Sequence, residues 1–316
     1  MESLEVLGKE GKDFIVKAPN RKISVRIEDT FAEMFPMWAG RVLITAENEK
    51  WALIAAQTAT GFASSVIMSP AEAAIETSVP KEETPDGRVG VIIQIYQRNR
   101  RALRDQMILR IGQCILTCPT TAAFDGLPEA PRRLKVGRSI RLFGDGFQRP
   151  GKVGSRKVWR IPVMEGEFKV EDSFGVIEAV AGGNLLIMAR NRLEGLRAAE
   201  AAVSRIKANV KDVIMPFPGG ICRAGSKVGS LKYKLGASTN HPYCPRLKRL
   251  TDTLVPENVN SIYEIVINGL KLENIKRAMA EGIKAAAEIE GVVKISAANY
   301  GGRLGPYRVE LKELIE

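Results

Sequence analysis

The sequence predicts an α+β chain made of two copies of one split β-α-β design, and three observations carry that expectation. Residues 28–59 and 171–202 align at a constant offset of 143, with twelve of thirty-two positions identical. Ordinary composition would give roughly two such matches. The shared positions include Glu28/Glu171, Asp29/Asp172, Phe31/Phe174, Gly40/Gly183, Leu43/Leu186, Ile44/Ile187, Asn48/Asn191 and Ala56/Ala199. The repeat resumes at an offset of 172, where Val91–Ile95 faces Tyr263–Ile267. Within each copy, β-prone runs alternate with runs at helical spacing, in the order strand, helix, strand, strand, helix, strand. That order is the ferredoxin-like arrangement, a sheet backed by helices.

The elements follow in turn. Residues 1–24 read as a charged leader with a strand or two. Residues 25–160 read as the first lobe with a basic bridging segment, and 161–316 as the second lobe. In the first lobe Val42–Thr45 is an apolar β-prone run, followed by a helix placing Trp51, Ile54 and Ala55 on one face. Strand Ser65–Met68, strand Val91–Tyr96, a helix burying Leu103, Met107, Ile108 and Ile111, and strand Cys114–Thr117 complete it. In the second lobe strand Leu185–Met188 precedes a helix with Leu196, Ala199, Val203 and Ile206 on one face. Strands Val213–Met215 and Ile262–Asn268, a helix carrying Ile275, Met279 and Ile283, and strand Val292–Ser296 follow. Thr30 with Glu33 fits a helix capping box, which Val176 removes from the second copy. In the bridge, Ser139–Phe143 and Lys157–Val163 read as strand-like, and Asp145-Gly146 as a tight turn.

At 316 residues, with 45% hydrophobic and 26% charged residues, the chain can bury a sizeable core and two domains are expected. No uninterrupted apolar run approaches bilayer length and the N-terminus lacks an apolar signal core, so a cytoplasmic protein with no membrane partner is expected. Cys114, Cys118, Cys222 and Cys244 form no C-x-x-C pair, and with one histidine they point to buried reduced thiols rather than zinc. A single His241, in the turn-rich run GASTNHPYCP, leaves acid–base work to carboxylates, lysines or tyrosines. The formal charge of +11 is uneven. From Arg132 to Arg160 ten basic residues meet one acid, Asp145. Smaller clusters are Arg98, Arg100, Arg101 and Arg104, and Arg246, Lys248 and Arg249. Such patches suit ligands with several carboxylates or phosphates, or else form a solvated basic surface.

The chemistry concentrates in the second lobe. Ala181–Asn184, PFPGGICRAGSKVGS (216–230) and AANYGGRLG (297–305) read as three glycine-rich loops able to turn N–H groups toward an anion. Ser226, Lys227 and Arg303 could add charge-assisted hydrogen bonds. No phosphate-cradle or dinucleotide motif is matched. Glu264 is the sharper candidate. It lies in IYEIVI, apolar on both sides, where the sister copy has Ile92. Alternation puts it on one face with Ile262 and Val266. Desolvation there would raise its pKa toward neutrality, as a general acid/base requires. The bland alternative is a partly solvated face, or a carboxylate satisfied by Tyr263 or a backbone N–H.

The runs IEDTFAEMF (27–35), VIMSPAEAAIE (66–76), EETPDGR (82–88), GQCILTCPTTAAF (112–124), KVWRIPVMEGEFKVEDSFG (157–175), PFPGGI (216–221), SKVGS (226–230), ASTNHPYCP (237–245), YEIVINGL (263–270) and KISAANYGGRLG (294–305) closely resemble the formylmethanofuran–tetrahydromethanopterin formyltransferase family. The resemblance runs from about residue 25 to the C-terminus. It implies reversible formyl transfer from formylmethanofuran to N5 of tetrahydromethanopterin, in one-carbon metabolism. No tightly bound cofactor, metal or covalent enzyme intermediate is implied; the two carriers are substrates. It implies a homo-oligomer, dimer or tetramer, with the site in a cleft near a subunit contact. It makes Glu264 the proton carrier, and it directs attention to Gly219, Gly220, Ser226, Lys227, Ser238, Asn240, Tyr263, Asn299, Gly301 and Arg303 as substrate-binding residues. The sequence departs from the family pattern at Ser69 and Ala74, where Cys and Gly are common, and in being basic where familiar members are often acidic. Alternatives are a diverged paralogue, a subunit of a formyltransferase/hydrolase complex, or a basic RNA-binding protein. Against the last stand an aromatic content of 6% and the absence of an RNP-type aromatic run.

Overall fold

A computed structural model describes residues 4–19 and 24–315. Residues 1–3 and 20–23 of the expected leader, and the side chain of Ser226, lie outside the described residues. The fold is mixed α+β, and the chain divides into two compact units, 1–36 with 180–316, and 37–179. Both boundaries fall inside a long strand, Phe31–Thr45 or Phe174–Ala189. The lobe boundaries drawn from the sequence therefore differ from the packing units. Val25–Glu28 pairs in parallel with Val292–Ser296, which carries the N-terminal strands into the unit of the C-terminal half.

In the unit of residues 37–179, the strand from Met37 pairs antiparallel with Gly90–Gln97 and Ala122–Asp125. Gly90–Gln97 pairs in turn with Glu72–Val79. Ala122–Asp125 runs parallel to Gly166–Glu171, which continues antiparallel to Arg156–Val163 and Arg149–Val153. Helices Glu49–Thr60 and Arg100–Arg110 pack over one face, on Val42, Ile44, Ile93 and Ile95. The opposite face carries Leu43, Val79, Phe124 and Val158, with Ile92 against them.

In the other unit, strands Glu5–Glu10, Asp13–Lys17, Val25–Glu28, Val292–Ser296, Phe174–Ala189, Ser261–Gly269 and Val213–Ile214 pair in that order. Helices Arg192–Asn209 and Leu272–Ala287 cover one face. Leu185, Ile187, Ile265 and Ile267 point at these helices, while Leu186, Met188 and Ile262 point the other way. Period-2 alternation thus separates a core face from a second face, and the chain between Met215 and Asn260 lies over the second.

Several expected elements are corrected. Ser65–Met68 is a turn, because Ser69 Oγ bonds both the N–H and the carbonyl of Ser65 and Pro70 cannot join a ladder; the strand is Glu72–Val79. Cys114–Thr117 is no strand: Cys114 and Ile115 end a π-helical turn, Ile111–Ile115, that prolongs the preceding helix, and Leu116 and Thr117 lie in the turn after it. There Leu103, Met107, Ile111 and Ile115 recur every four residues, and that buried stripe overrides β-propensity. Ser139–Phe143 is helical, with Val136 and Ile140 buried one turn apart. Ala181–Asn184 is no loop but a bulge inside the long strand, with Gly182 at φ +95°. The strand expected at Val213–Met215 holds two residues, Val213–Ile214. Helix Glu49–Thr60 buries Ala52, Ala55, Ala56 and Ala59 and leaves Ile54 on the surface. The residues after Thr30 begin a strand at Phe31, so no capping box forms.

Candidate active site

Glu264 occupies the middle of Ser261–Gly269, opposite Leu186 in the neighbouring strand. Leu186 is also opposite Ser296, so three adjacent strands present Glu264, Leu186 and Ser296 on one face. In the other unit the corresponding pair is Leu43 opposite Ile92. There the strand face is closed by Val79, Phe124 and Val158. Around Glu264 it opens instead into a pocket of about 320 Å³.

The chain after Val213–Ile214 builds that pocket. It turns through Pro218–Gly220 and returns at Cys222, whose N–H donates to the Glu264 carbonyl at 2.7 Å and whose carbonyl accepts from the Glu264 N–H at 2.8 Å. Arg223, Ala224 and Gly225 form one wall. A short ribbon, Ser226–Val228 against Ala237–Thr239, then leads to Asn240, Tyr243, Cys244 and Arg246, which also line the pocket. Leu186 and Ile262 make the floor beside Glu264. Behind it lies the small apolar cluster Leu186, Met188, Val255 and Val259, on which Tyr243 rests. Lys248 Nζ ties this excursion down by donating to the carbonyls of Glu257 and Val259 at 2.8 and 2.5 Å.

Burial pushes the Glu264 carboxyl up to about 7. The acid therefore changes charge near neutral pH, the condition under which it can both accept and return a proton. Tyr243 is pushed up to about 12 by burial first and then by the charges of Glu28 and Glu264, so its phenol stays protonated. Arg223 and Arg246 are exposed at the rim, and no ion pair to either is formed among the described residues. Anionic groups entering the pocket meet these two guanidinium groups first.

The loop 297–305 is shaped by Glu33. This fully buried carboxylate accepts the N–H groups of Tyr300 at 2.8 Å, Gly302 and Gly305 at 3.2 Å, and Leu304. Burial works to raise its pKa, but the four donors outweigh it and the pKa is lowered. Asn184 clamps the loop's start, accepting from Ala298 N–H at 2.6 Å and donating to its carbonyl at 3.0 Å. Burial first, and then the Glu264 and Glu33 charges, raise the pKa of the Tyr300 hydroxyl, with the Val228 N–H acting against them.

Of the residues singled out from the sequence, Glu264 and Asn240 line the pocket together. Lys227 and Ser238 are paired across the adjoining ribbon, and Ser226 opens it, opposite Thr239. Gly219 and Gly220 adopt φ of +65° and +86° in the turn, with Gly220 packed toward Val203 and Met215 rather than the pocket. Tyr263 lies on the core face, its ring against Gly195. Asn299 donates to Thr30 Oγ1 and the Phe31 carbonyl, which fixes the loop, and Arg303 donates to the Tyr300 carbonyl at 3.1 Å. Gly301 is exposed with φ +65°. His241 begins a single helical turn, His241–Tyr243. Sequence reasoning missed Tyr243, Tyr300 and Arg223 as site-forming residues and misread Glu33. Tyr243 sits in a quoted motif and Arg223 in a quoted loop, but neither stood apart from its neighbours. Much of the basic bridge is internally engaged: Arg133 pairs with Asp125 and Arg156 with Glu171, both at 2.8 Å.

Comparison with known proteins adds an independent line. Residues 21–163 match the family model "Formylmethanofuran-tetrahydromethanopterin formyltransferase", and residues 166–314 match the model "FTR, proximal lobe". The formylmethanofuran–tetrahydromethanopterin formyltransferase of Methanocaldococcus jannaschii is 54% identical over 297 residues, covering 92% of this chain and 98% of that protein. Among solved structures, the enzyme of that name from Methanosarcina barkeri is 52% identical with a TM-score of 0.88, covering 92% and 98%. The formyltransferase/hydrolase complex from Methylorubrum extorquens, solved with methylofuran, contains a chain 45% identical to this one. That chain gives a TM-score of 0.88, with 92% and 97% covered.

Proposed function

The chain belongs to the formylmethanofuran–tetrahydromethanopterin formyltransferase family, and from that premise we propose where and how it carries out its reaction. It transfers a formyl group between formylmethanofuran and tetrahydromethanopterin, the two carriers being substrates. The transfer takes place in the pocket floored by Leu186 and Ile262, with Glu264 as the proton carrier. The observation behind this is a carboxyl group set in a pocket lined by Cys222, Asn240 and Tyr243, where burial pushes its pKa up to about 7.

The attacking nitrogen, N5 of the pterin, adds to the formyl carbon and the carbonyl electrons move to oxygen. Glu264 takes the proton that the attacking nitrogen sheds and returns it to the amine of methanofuran as the old C–N bond breaks. A group with a pKa near the working pH serves both steps, a contribution of typically about 10²–10⁴-fold. Arg223 and Arg246 meet the anionic tails of the carriers, Asn240 completes the binding wall, and Lys227 and Ser238 bind from the ribbon that adjoins it. Ser226, Gly219, Gly220, Asn299, Gly301 and Arg303 shape the loops that frame it. Alignment of the two carriers supplies much of the remaining barrier reduction.

The test is Glu264→Gln. Carrier binding should stay nearly intact while turnover falls at least about a hundredfold; full turnover would remove Glu264 from the mechanism.

The same reading takes the two units as duplicated ferredoxin-like lobes. In support, the Leu43–Ile92 and Leu186–Glu264 pairs are equivalent, and Asn48 and Asn191 cap corresponding helices through their side chains. It makes the protein a cytoplasmic homo-oligomer, since the excursion over the site exposes Leu231, Tyr233, Leu235 and Leu250, at 53–77%. Membership of a formyltransferase/hydrolase complex is a second reading, favoured by the 45% identity to a chain of such an assembly.

A further inference from the structure

We propose that Tyr243 is a catalytic residue of the formyl transfer, its phenolic O–H donating to the oxyanion that forms on the formyl oxygen. The proposal rests on the reading that the reaction occurs in the Glu264 pocket. Tyr243 carries the one hydroxyl-bearing side chain among the described residues that line this pocket. Its neighbours offer poorer donors for a developing charge: the thiols of Cys222 and Cys244 are weak, and Arg223 and Arg246 stand exposed at the rim. Asn240 remains as an amide donor on the same wall.

The ring is held in place before substrate arrives. It sits in the single helical turn His241–Tyr243, closed by the Tyr243 N–H donating to the Asn240 carbonyl at 3.0 Å, and packs against Leu186, Met188, Val255 and Val259. A donor fixed in this way needs no reorganisation when charge appears, which is where oxyanion stabilisation gains its strength. Burial keeps the phenol protonated far above neutral pH, so it donates throughout the range in which Glu264 titrates. The division of labour follows. As the acceptor nitrogen bonds to the formyl carbon, the carbonyl π pair moves to oxygen, and the Tyr243 hydrogen bond shortens onto that oxyanion without transferring its proton. Glu264 receives the nitrogen's proton. When the carbonyl re-forms and the C–N bond to the departing amine breaks, Glu264 protonates that amine and Tyr243 is left as it began.

The experiment measures steady-state formyl transfer for the full chain, Y243F and E264Q side by side, with a thermal melt of each. Y243F should lose about a hundredfold in kcat, the scale of one oxyanion donor, with KM for both carriers changed less than about threefold. Fluorotyrosine at 243 keeps the hydroxyl and lowers its pKa. It should restore the rate at neutral pH and lose it on the alkaline side, a signature no packing role produces, and it serves if Y243F melts early. Unchanged kcat in Y243F beside an impaired E264Q overturns the role of Tyr243 alone. A loss confined to KM, or a fluorotyrosine protein without the new alkaline limb, overturns it equally. Full turnover in E264Q overturns the pocket as reaction site, and this proposal with it.

Discussion

Glu264 has consequences that can be read without any substrate. Its pKa rises from the ordinary 4.5 to about 7 because protein replaces the water that would solvate its charge. The folded chain therefore holds this proton where the unfolded chain has already lost it. The stability contributed is complete below about pH 4.5 and is lost as pH rises through about 7, a span of about 3 kcal/mol. Glu264→Gln abolishes that titration. Its melting temperature relative to the parent should rise between pH 4 and pH 8.5, and thermal melts at the two values check it. A gap that does not change with pH would place the carboxyl in solvent. Glu264 was legible in the sequence because a charged residue stood where its sister strand kept Ile92. Tyr243 was not, because nothing in ASTNHPYCP shows which side chain turns inward; packing on Leu186 and Met188 decides that.

At the scale of elements, the loop 297–305 depends on one carboxylate from a strand more than 260 residues earlier in the chain. Sequence spacing made Thr30 and Glu33 a helix cap. Strand pairing of Phe31–Glu310, Ala32–Val309 and Glu33–Arg308 overrides it, and Glu33 becomes the receptor of four N–H groups. Replacing it by alanine takes the shared acceptor from four part-buried donors, at a cost of about 2–4 kcal/mol. Glu33→Ala should accordingly lower denaturant stability by that amount, and its loop amides should exchange with solvent faster than those of the parent; unaltered exchange over 300–305 would refute the anchoring role. The sign with pH is opposite to that of Glu264. With a lowered pKa, the Glu33 contribution is present above its unfolded value and lost as pH falls through its folded one. Helix starts, by contrast, were written locally. Asn48 and Asn191, equivalent in the repeat, each cap a helix through the side-chain oxygen, an interaction worth about 1 kcal/mol apiece.

For the whole molecule, a formal charge of +11 and an apolar excursion over the site bear on assembly. Light scattering of the purified chain should give a multiple of the 34.6 kDa protomer mass, and Leu231→Asp with Leu250→Asp should shift it toward the protomer; a monomeric parent would rule out the homo-oligomer. No helix among the described residues is long and apolar enough to cross a membrane. The sequence by itself determined the α+β class, the long strands and helices with clear periodicity, the family, and Glu264 as the odd acid in an apolar strand. The class, the periodic elements and the odd acid are properties of spacing and composition, and the family is carried by the resemblance of its motifs; the chain holds all of these wherever it folds. Only the tertiary structure decided that the N-terminal strands join the C-terminal half, that Ala181–Asn184 is a bulge, that Tyr263 faces the core, that Glu33 receives the N–H groups of the loop 300–305, and that Tyr243 lines the Glu264 pocket. Each of those depends on which distant segment supplies the hydrogen-bond partner or the buried surface, and local periodicity does not encode that choice.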